Sequence, residues 1–323
     1  MEWTKRRNRM KKVIIIVLCV LLAAVVAVVS FFGAIGYYSY AAIAETVSAP
    51  APAEDDSITI MSANIRRQER LLWYSSSFWK FDVGNHRWYK RAKYYLENIE
   101  VVKPDIFGAQ EVQPSQYEFL TEHLVGYGSI VGYRDESGSR SEACPIFYSE
   151  ARFTLLDSGT FWLSDTPDVM SKYEESGEYR IASFVKLKDK STGIVIAVYN
   201  THPEWGSVEA RIKQLSVIAA KAKESDADKT VVLGDLNSDR SLPGGNEGLA
   251  PIEAFLKDSK TFPGMTDYGA TFNGYDIDPD GPMGLDYIFL PETTNVLAVG
   301  KVDTIYDGVY PSDHFPIWAK VKF

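Results

Sequence analysis

Six groups of polar residues stand at the ends of short apolar runs in this sequence, and their side chains are of the kinds that do chemistry. They are carboxylates, carboxamides and imidazoles, and each follows or closes a run rich in Val, Ile, Phe or Tyr. Strand ends form a rigid platform, so side chains from several strands can be held there in fixed geometry. The groups are Asn64, Glu111, Asn200-Thr201-His202, Asp235-Leu236-Asn237, Asp286 and Ser312-Asp313-His314.

These residue types favour a site for a hard metal ion. Carboxylate and amide oxygens are the ligands that Mg²⁺, Mn²⁺ and Ca²⁺ prefer, whereas no cluster of His or Cys in the sequence suggests a zinc site. Such an ion acts as a Lewis acid on a phosphoryl oxygen, while His and Asn donors stabilise the added charge and a carboxylate activates water. A single Asp or Asn at a strand end is more often a turn former, so the prediction depends on the ordered set.

Short apolar runs predict the strands that carry these groups, and helical spacing appears between the runs. One helix over 88–102 stops before Pro104, and a second begins at Pro114 with Leu124 on its apolar face. A third follows Ser207, a plausible N-cap. Because strands and helices are interspersed without a repeat, we expect one α/β domain with two sheets and outer helices. The predicted strands are 57–64, 105–110, 194–200, 230–234, 286–290 and 315–323.

The charge of the chain is unevenly distributed. The 323 residues are 46% hydrophobic, which excludes a disordered chain, and they carry a net charge of −9. Residues 1–12 hold six basic residues and one acid, so the other 311 residues carry −14. A body this acidic lacks the broad basic surface of sequence-independent nucleic-acid binders, and nucleic acid is therefore a disfavoured substrate.

A run of 32 residues without charge or His, 13–44, follows the basic segment. About 20 apolar residues span a bilayer, so this run predicts a transmembrane signal anchor. The positive-inside rule makes residues 1–12 a cytoplasmic tail and exports everything after Ala44, which predicts a single-pass protein of the cell membrane with an extracytoplasmic domain. The alternative is a cleaved signal peptide, since Ala42-Ile43-Ala44 resembles a cleavage site, but its apolar region is usually about 7–15 residues.

The motifs, in this order, resemble those of the endonuclease/exonuclease/phosphatase superfamily of metal-dependent phosphoesterases. The resemblance covers residues 57–323, after a predicted linker at 45–56 that is rich in Ala, Pro and acidic residues. PIFY at 145–148 and DSGTFWLSDTP at 157–167 are similar to a bacterial, membrane-anchored branch of unassigned substrate. The superfamily motifs are SANIR at 62–66, GAQE at 108–111, NTH at 200–202, GDLN at 234–237, LDYIFL at 285–290 and PSDHFP at 311–316.

The resemblance implies a four-layer α/β sandwich, in which two packed, mostly antiparallel sheets carry outer helices and the active site lies at one edge of the sheets. It implies a Mg²⁺ site, with Mn²⁺ as the alternative ion. Glu111 would be the main ligand, with Asn64 beside it and Asp313 contributing. Asp235 would orient or deprotonate the attacking water.

The resemblance also implies which residues contact the phosphate. His202 would donate to a phosphate oxygen, and Asn237 would hold the water or the phosphate. His314 would contact the phosphate or act as acid and base, with Asp286 fixing its tautomer.

The sequence departs from this branch in two places. His202 is followed by Pro203-Glu204-Trp205 where the branch often has Leu-Asp, so Glu204 keeps a carboxylate and Trp205 adds bulk. The Gly-Arg-Asp-Asp-Gly stretch of the branch is displaced into residues 132–136, which makes Arg134 and Arg180 candidate phosphate contacts. Both departures bear on substrate preference more than on the type of reaction.

Two further features carry weaker predictions. Residues 276–281 have the D-x-D-x-D-G start of a Ca²⁺ loop, but Tyr287 stands where a Glu is needed, so a solvated acidic loop is the simpler interpretation. Residues 71–95 are rich in aromatic side chains, of which Trp88 and Tyr95 have helical core spacing. The part at 73–81 would pack in the core or a loop, cap the site, stack on a base or sugar, or rest on the membrane.

The sequence therefore predicts a membrane-anchored, Mg²⁺-dependent hydrolase of a phosphodiester or phosphomonoester, acting by metal-assisted water attack. The expected partners are a phosphate-ester substrate and the lipid bilayer, through residues 13–44, and no protein partner is inferred. The alternatives are an extracytoplasmic nuclease acting on DNA or RNA, and a catalytically silent binding or scaffold module on the same fold.

Overall fold

The computed structural model describes residues 2–41, 43–68, 72–75, 78–81, 86–275 and 283–323. The chain divides into two units, Met1–Ala44 and Glu45–Phe323. The first unit is the helix α1 (Glu2–Ala41), and its segment Arg6–Phe31 is long and apolar enough to cross a membrane. A signal sequence near an N-terminus shares this length and composition, so the helix fits both predictions made for residues 13–44.

The second unit alternates strands and helices along the chain. In its described part the helices are α2 (Trp88–Val102), α3 (Pro114–His123), α4 (Val208–Glu224) and α5 (Gly245–Glu253). The strands are β1 (Val47–Ser48), β2 (Ile58–Asn64), β3 (Leu72–Ser75), β4 (Phe78–Phe81), β5 (Ile106–Gln110), β6 (Leu124–Val125), β7 (Tyr127–Ile130), β8 (Ile146–Ser149), β9 (Phe153–Trp162), β10 (Ile181–Asp189), β11 (Val195–Thr201), β12 (Lys229–Asp235), β13 (Lys257–Asp258), β14 (Asp286–Leu290), β15 (Asn295–Lys301) and β16 (Ile317–Lys322).

The longer strands form two six-stranded sheets. Sheet I has the order β13-β14-β12-β11-β10-β9, and sheet II has the order β15-β16-β2-β5-β8-β7. Within each sheet one pair is parallel, β11–β12 in sheet I and β2–β5 in sheet II, and the other described pairs are antiparallel. The prediction of two mostly antiparallel sheets is confirmed.

The main core lies between the two sheets, where apolar side chains of both meet. Ile60 and Ile106 of sheet II share this core with Val198 and Leu233 of sheet I. A second core lies under α4 and α5 on the outer face of sheet I. On the outer face of sheet II, the ring of Tyr117 in α3 lies 5.9 Å from the ring of Phe147 in β8. Helices thus cover both outer faces, and the four-layer sandwich is confirmed.

The two sheets lie close together where Gly108 of sheet II faces sheet I. A Cβ at Gly108 would lie 2.3 Å from Leu233 Cδ1 and 2.5 Å from Asn200 Cγ, so a larger residue would force the sheets apart. Asn200 Nδ2 donates to the carbonyls of Ala109 (2.9 Å) and Pro145 (2.8 Å). The amide of Asn200, which the sequence placed among the chemically competent groups, therefore joins the two sheets.

The six predicted strands are present, with ends shifted by no more than two residues. Ser207 caps α4 as predicted, since its Oγ accepts from Ala210 N at 3.1 Å, and Trp88 and Tyr95 are buried. The expectation that Leu124 lies on α3 is wrong, because the helix ends at His123 and Leu124 begins β6.

Three further predictions concern the linker, the candidate Ca²⁺ loop and the aromatic segment. Within the predicted linker 45–56, β1 pairs in parallel with β6, so part of that segment adds to the domain. The candidate Ca²⁺ loop at 276–281 lies outside the described residues. In the aromatic segment 73–81, the structure describes the backbone pairing of β3 with β4. The prediction for the side chains of this segment lies outside the described part of the chain.

Candidate active site

The predicted groups meet at one edge of the two sheets. In sheet II the parallel pair β2–β5 sets Asn64 beside Gln110, and Glu111 follows directly. In sheet I the antiparallel pair β12–β14 sets Asp235 opposite Asp286. His202 follows the end of β11, and His314 precedes the start of β16. Strand pairing within each sheet therefore positions the functional side chains.

The backbone at this edge is held in demanding conformations. Glu111 and Asn237 have φ of 59° and 51°, a region that non-glycine residues sparsely populate and that is enriched at functional sites. Gly234 has φ of 150°, and a Cβ there would lie 2.0 Å from the carbonyl oxygen of Thr201. Only glycine lets β11 and β12 pair this close to Asp235.

Asp235 is the centre of the site, and it is only 1% exposed. Its Oδ2 accepts from Asn64 Nδ2 at 3.0 Å and lies 3.5 Å from Nε2 of both His202 and His314. Its Oδ1 accepts from Asn237 N at 3.0 Å. Burial raises the pKa of Asp235, although the two imidazoles act to lower it. Side chains from both sheets thus converge on one buried carboxylate.

The two histidines have opposite protonation states at neutral pH. Burial lowers the pKa of His202 to about 4, so this imidazole is neutral. Burial acts the same way on His314, but the carboxylates of Asp286 and Asp235 outweigh it and raise the pKa of His314 to about 10. Asp286 Oδ2 lies 2.8 Å from His314 Nδ1, a contact consistent with the role predicted for Asp286, and His314 Nε2 lies 3.5 Å from Asp235 Oδ2.

Glu111 lies on the other side of Asn64, next to a cation. Arg66 Nη1 is 3.7 Å from Glu111 Oε2 and 3.4 Å from Asp313 Oδ2. Burial would raise the pKa of Glu111, but Arg66 and His202 hold that pKa well below its usual range. Glu111 and Asp313 therefore bracket a position that already attracts positive charge.

This oxygen-rich position fits a divalent cation. The guanidinium of Arg66 places a positive charge near both carboxylates. Carboxylate oxygens are ligands that suit Mg²⁺ or Mn²⁺. Asn64, however, turns its amide nitrogen toward Glu111 (3.2 Å) while its oxygen accepts from Arg66 N (2.9 Å). A ligand role for Asn64 therefore requires its amide to turn over.

A second group with metal-ligand atoms is formed by Asp235, Asp286 and His314, whose atoms lie within 4.8 Å of one another. Because Asp286 and His314 already bond to each other, this group is better suited to moving protons than to holding an ion. Asp286 Oδ1 has no hydrogen-bond partner among the described residues.

A cleft of about 640 Å³ opens over these residues. Arg134 and Arg180, the predicted phosphate contacts, both line it and are 8% and 5% exposed. Arg134 Nη1 lies 3.0 Å from Glu142 Oε2, and Arg180 Nη1 donates to the carbonyl of His202 at 3.3 Å. Arginines therefore line the cleft, and carboxylates such as Glu142 and Glu178 line it beside them.

Some residues of the site were not predicted. Arg66 and Arg67 also line the cleft. Arg66 ends the SANIR motif and Arg67 follows it, and this position in the sequence could have indicated both residues. Arg91 is fully buried, and its Nη1 donates to the carbonyls of Ile65 (2.8 Å) and Pro311 (2.7 Å), which ties two site loops together. Nothing in the sequence marks Arg91 for that role.

The sequence pattern of the Endonuclease/Exonuclease/phosphatase family matches residues 61–314. The chain belongs to this family. Membership confirms the predicted resemblance and supports the predicted class of enzyme, a hydrolase of phosphate esters. The membrane-anchored branch stays a prediction.

Two solved structures from Bacteroides thetaiotaomicron are similar over most of the chain. One, an endonuclease/exonuclease/phosphatase family protein, is 28% identical with a TM-score of 0.70 and covers 82% of this chain and 97% of that one. The other, a mannosyl-6-phosphatase of strain VPI-5482, is 27% identical with a TM-score of 0.69 and covers 82% and 100%. The family fold therefore extends over the second unit.

Curated relatives are matched over shorter stretches. Protein angel of Drosophila melanogaster is 25% identical over 191 residues, 58% of this chain and 54% of that protein. Probable RNA exonuclease NGL3 of Saccharomyces cerevisiae is 24% identical over 174 residues, 49% of this chain and 33% of that protein. The chain spans about half or less of the length of these relatives.

Proposed function

We propose that this protein is a membrane-anchored, Mg²⁺-dependent phosphoesterase that hydrolyses a phosphodiester or phosphomonoester by activating water. The observation that carries the proposal is the position of Asp235. This buried carboxylate lies between two imidazoles, next to the Glu111–Asp313 pair, under a cleft lined by arginines.

Glu111 and Asp313 are the proposed metal ligands, joined by Asn64 once its amide turns over. Bound there, Mg²⁺ supplies a Lewis acid that offsets charge on a phosphoryl oxygen. Arg66 contacts both carboxylates and has to yield this position to the ion.

Asp235 is the proposed base. Because burial raises its pKa, it accepts a proton from water more readily than an exposed Asp. The N–H of Asn237 holds Oδ1, and Oδ2 lies 3.5 Å from Nε2 of both imidazoles. Asn237 Nδ2 gives one hydrogen to the carbonyl of Pro203 (3.0 Å), so a second hydrogen is available to the water or the phosphate.

The imidazoles and guanidinia are the proposed phosphate contacts. His314 is protonated at neutral pH and donates through Nε2 to an oxygen that gains charge in the transition state. Asp286 keeps that ring in place through Nδ1. His202 is a neutral donor, and Arg134 and Arg180 stabilise the remaining phosphate oxygens from the wall of the cleft.

The test is an assay of the full-length protein in detergent with Mg²⁺ or Mn²⁺. The substrates are sugar and inositol phosphates, sphingomyelin-type lipids, single-stranded DNA and RNA. We expect hydrolysis of at least one class, and a fall in kcat/KM of about 10²–10⁴-fold in Glu111→Ala and in His314→Ala. Glu118→Ala, an exposed change on α3, is the matched control.

Two outcomes contradict the proposal. Full activity in both site variants would overturn the residue assignment. Absence of hydrolysis for every substrate, together with no Mg²⁺ or Mn²⁺ binding in calorimetry, would favour the silent scaffold.

We also propose that α1 anchors the protein with its N-terminus in the cytoplasm. The basic residues before the apolar segment support this orientation. Protease added to intact cells should then remove the second unit and spare the first 12 residues. Release of the second unit into the medium without α1 would instead indicate a cleaved signal peptide.

A further inference from the structure

Trp205 is exposed in a way that the reaction described above does not explain. Its side chain is 73% exposed, more than any other large apolar side chain in the described part of Glu45–Phe323. It lies three residues after His202 and lines the same cleft as His202, Asp235 and His314. An indole left in water at the mouth of a cleft is a surface that gains free energy when a ligand covers it.

The backbone that presents Trp205 is fixed on both sides. The Glu204 carboxylate is 3% exposed and does not line the cleft, and its Oε1 accepts from Trp205 N (3.1 Å) and Gly206 N (3.0 Å). Its Oε2 accepts from Ser176 Oγ and Gly177 N, both at 3.0 Å. The carboxylate that the sequence kept after His202 therefore serves to hold this loop.

Arg211 completes the support. Its Nη1 donates to the carbonyl of Trp205 at 2.6 Å and to that of Glu204 at 3.1 Å. Asn237 Nδ2 donates to the carbonyl of Pro203 on the other side of the turn. Both the N–H and the C=O of Trp205 are therefore bonded, so the chain has already lost the freedom that binding would otherwise cost.

The walls of the cleft differ in chemistry. Arg134 and Arg180 line it with guanidinium groups, and Trp205, Leu242 and Pro243 line it with apolar side chains. Leu242 is itself 50% exposed. A phosphoester in this cleft thus has cations available to its oxygens and apolar side chains available to the group that it esterifies.

We propose that Trp205 is the stacking platform of a subsite for the organic group of the substrate, and that this subsite takes the flat face of a ring. The face of a sugar and the face of a nucleobase share this chemistry with indole. The inference rests on the proposed phosphoesterase function and adds that the substrate is a ring-bearing phosphoester.

The test compares ring-bearing with ringless substrates in the full-length protein. The probes are a hexose phosphate, a nucleoside monophosphate and glycerol phosphate, each as monoester and as methyl diester. In Trp205→Ala we expect the ratio of kcat/KM for the preferred ring-bearing ester over glycerol phosphate to fall about tenfold, mostly through KM. Trp205→Phe should restore most of the ratio, and Val101→Ala, which removes a 69% exposed apolar side chain outside the cleft, should leave it unchanged.

The two ring sources give different results. A fall for the hexose phosphate alone assigns the subsite to sugars, and a fall for the nucleotide alone assigns it to bases. An unchanged ratio in Trp205→Ala overturns the inference while leaving the proposed function intact.

A second readout needs no turnover. Titration with the same ring-bearing esters should quench tryptophan fluorescence more in the wild type than in Trp205→Phe. Equal quenching in both overturns the inference. A Trp205-dependent quench supports the stacking platform whether or not the ester is hydrolysed, so this readout is separate from the assay of the proposed function.

Discussion

Two buried clusters of charged side chains lie at opposite ends of β2, and they differ in whether a guanidinium pairs with the central carboxylate. At the start of the strand, Arg152 donates from Nε (3.0 Å) and Nη2 (2.9 Å) to Asp189 Oδ2, and it also bonds the carbonyls of Ser57 and Asp56. Asp189 Oδ1 accepts from the N and Oγ of Ser191, both at 2.8 Å. Burial acts to raise the pKa of Asp189, but the Ser191 bonds and Arg152 lower it.

At the end of β2, burial outweighs the interactions that lower the pKa of the central carboxylate. Asp235 has imidazole and amide neighbours but no guanidinium in ion-pair contact among the described residues, and burial raises its pKa. Asp286 keeps an unpaired Oδ1. In the first cluster Arg152 pairs with Asp189 and lies 3.5 Å from Asp105, so this cation fixes structure. In the second, Asp235 and Asp286 have no such cation among the described residues and are available to a substrate and a proton.

Among the substitutions considered, Asp235→Asn is expected to distinguish the two clusters most strongly. We expect kcat to fall about 10²–10⁴-fold because the base is lost. We expect the free energy of unfolding at neutral pH to change little, since burial of the Asp235 charge opposes folding while its attraction to protonated His314 favours it. Urea unfolding and steady-state kinetics on the same preparation measure both quantities, with the exposed Asp157→Asn as control. A joint loss of stability and activity would mean that the two clusters do not differ in kind.

Arg152→Met should have the opposite profile. It leaves Asp189 buried without its cation, and breaking a buried pair in this way costs about 3–5 kcal/mol of stability. Activity per folded molecule should stay at the wild-type level. The matched change is Arg134→Met, which should raise KM with a smaller loss of stability, because Glu142 keeps its contact with Arg67 Nη1 at 2.9 Å. Equal stability losses from the two substitutions would count against the comparison.

The sequence was sufficient for the parts of this comparison that repeat a pattern. The strands bearing Asn64, Asp235 and Asp286 were predicted from their short apolar runs, and the structure brings the polar groups at their ends to one edge. The interspersed strands and helices indicated one α/β domain with two sheets and outer helices, and the resemblance to the family implied the four layers. The site could be anticipated because the six groups recur in order at strand ends, although each residue alone is common there.

What could not be predicted depends on contacts between distant segments. Arg91 and Arg152 bind main-chain carbonyls, which carry no sequence signal, so each resembles a surface arginine in the sequence. β9 was missed because most of its side chains are exposed and it lacks alternation, and α5 because it contains Pro251. The amide of Asn200 is a further example. Its role in joining the sheets depends on carbonyls of the other sheet, so the sequence could not reveal it.

The smallest expected effect is on the pH dependence of the two clusters. The pKa of His314 is raised to about 10, above its ordinary 6.5, so its stabilising contribution is full below pH 6.5 and is lost as pH rises through about 10. The pKa of Asp189 is lowered, so its contribution to stability is present above its ordinary 3.8 and is lost as pH falls below that value.

Asp286→Asn should therefore weaken the alkaline loss of stability and move the alkaline fall of kcat/KM to lower pH. Asp189→Asn should weaken only the acid loss of stability and leave the kinetic profile in place. Unfolding free energies and kcat/KM across the pH range measure this, and an alkaline limb that Asp286→Asn does not move would show that His314 is not the group whose proton the reaction uses.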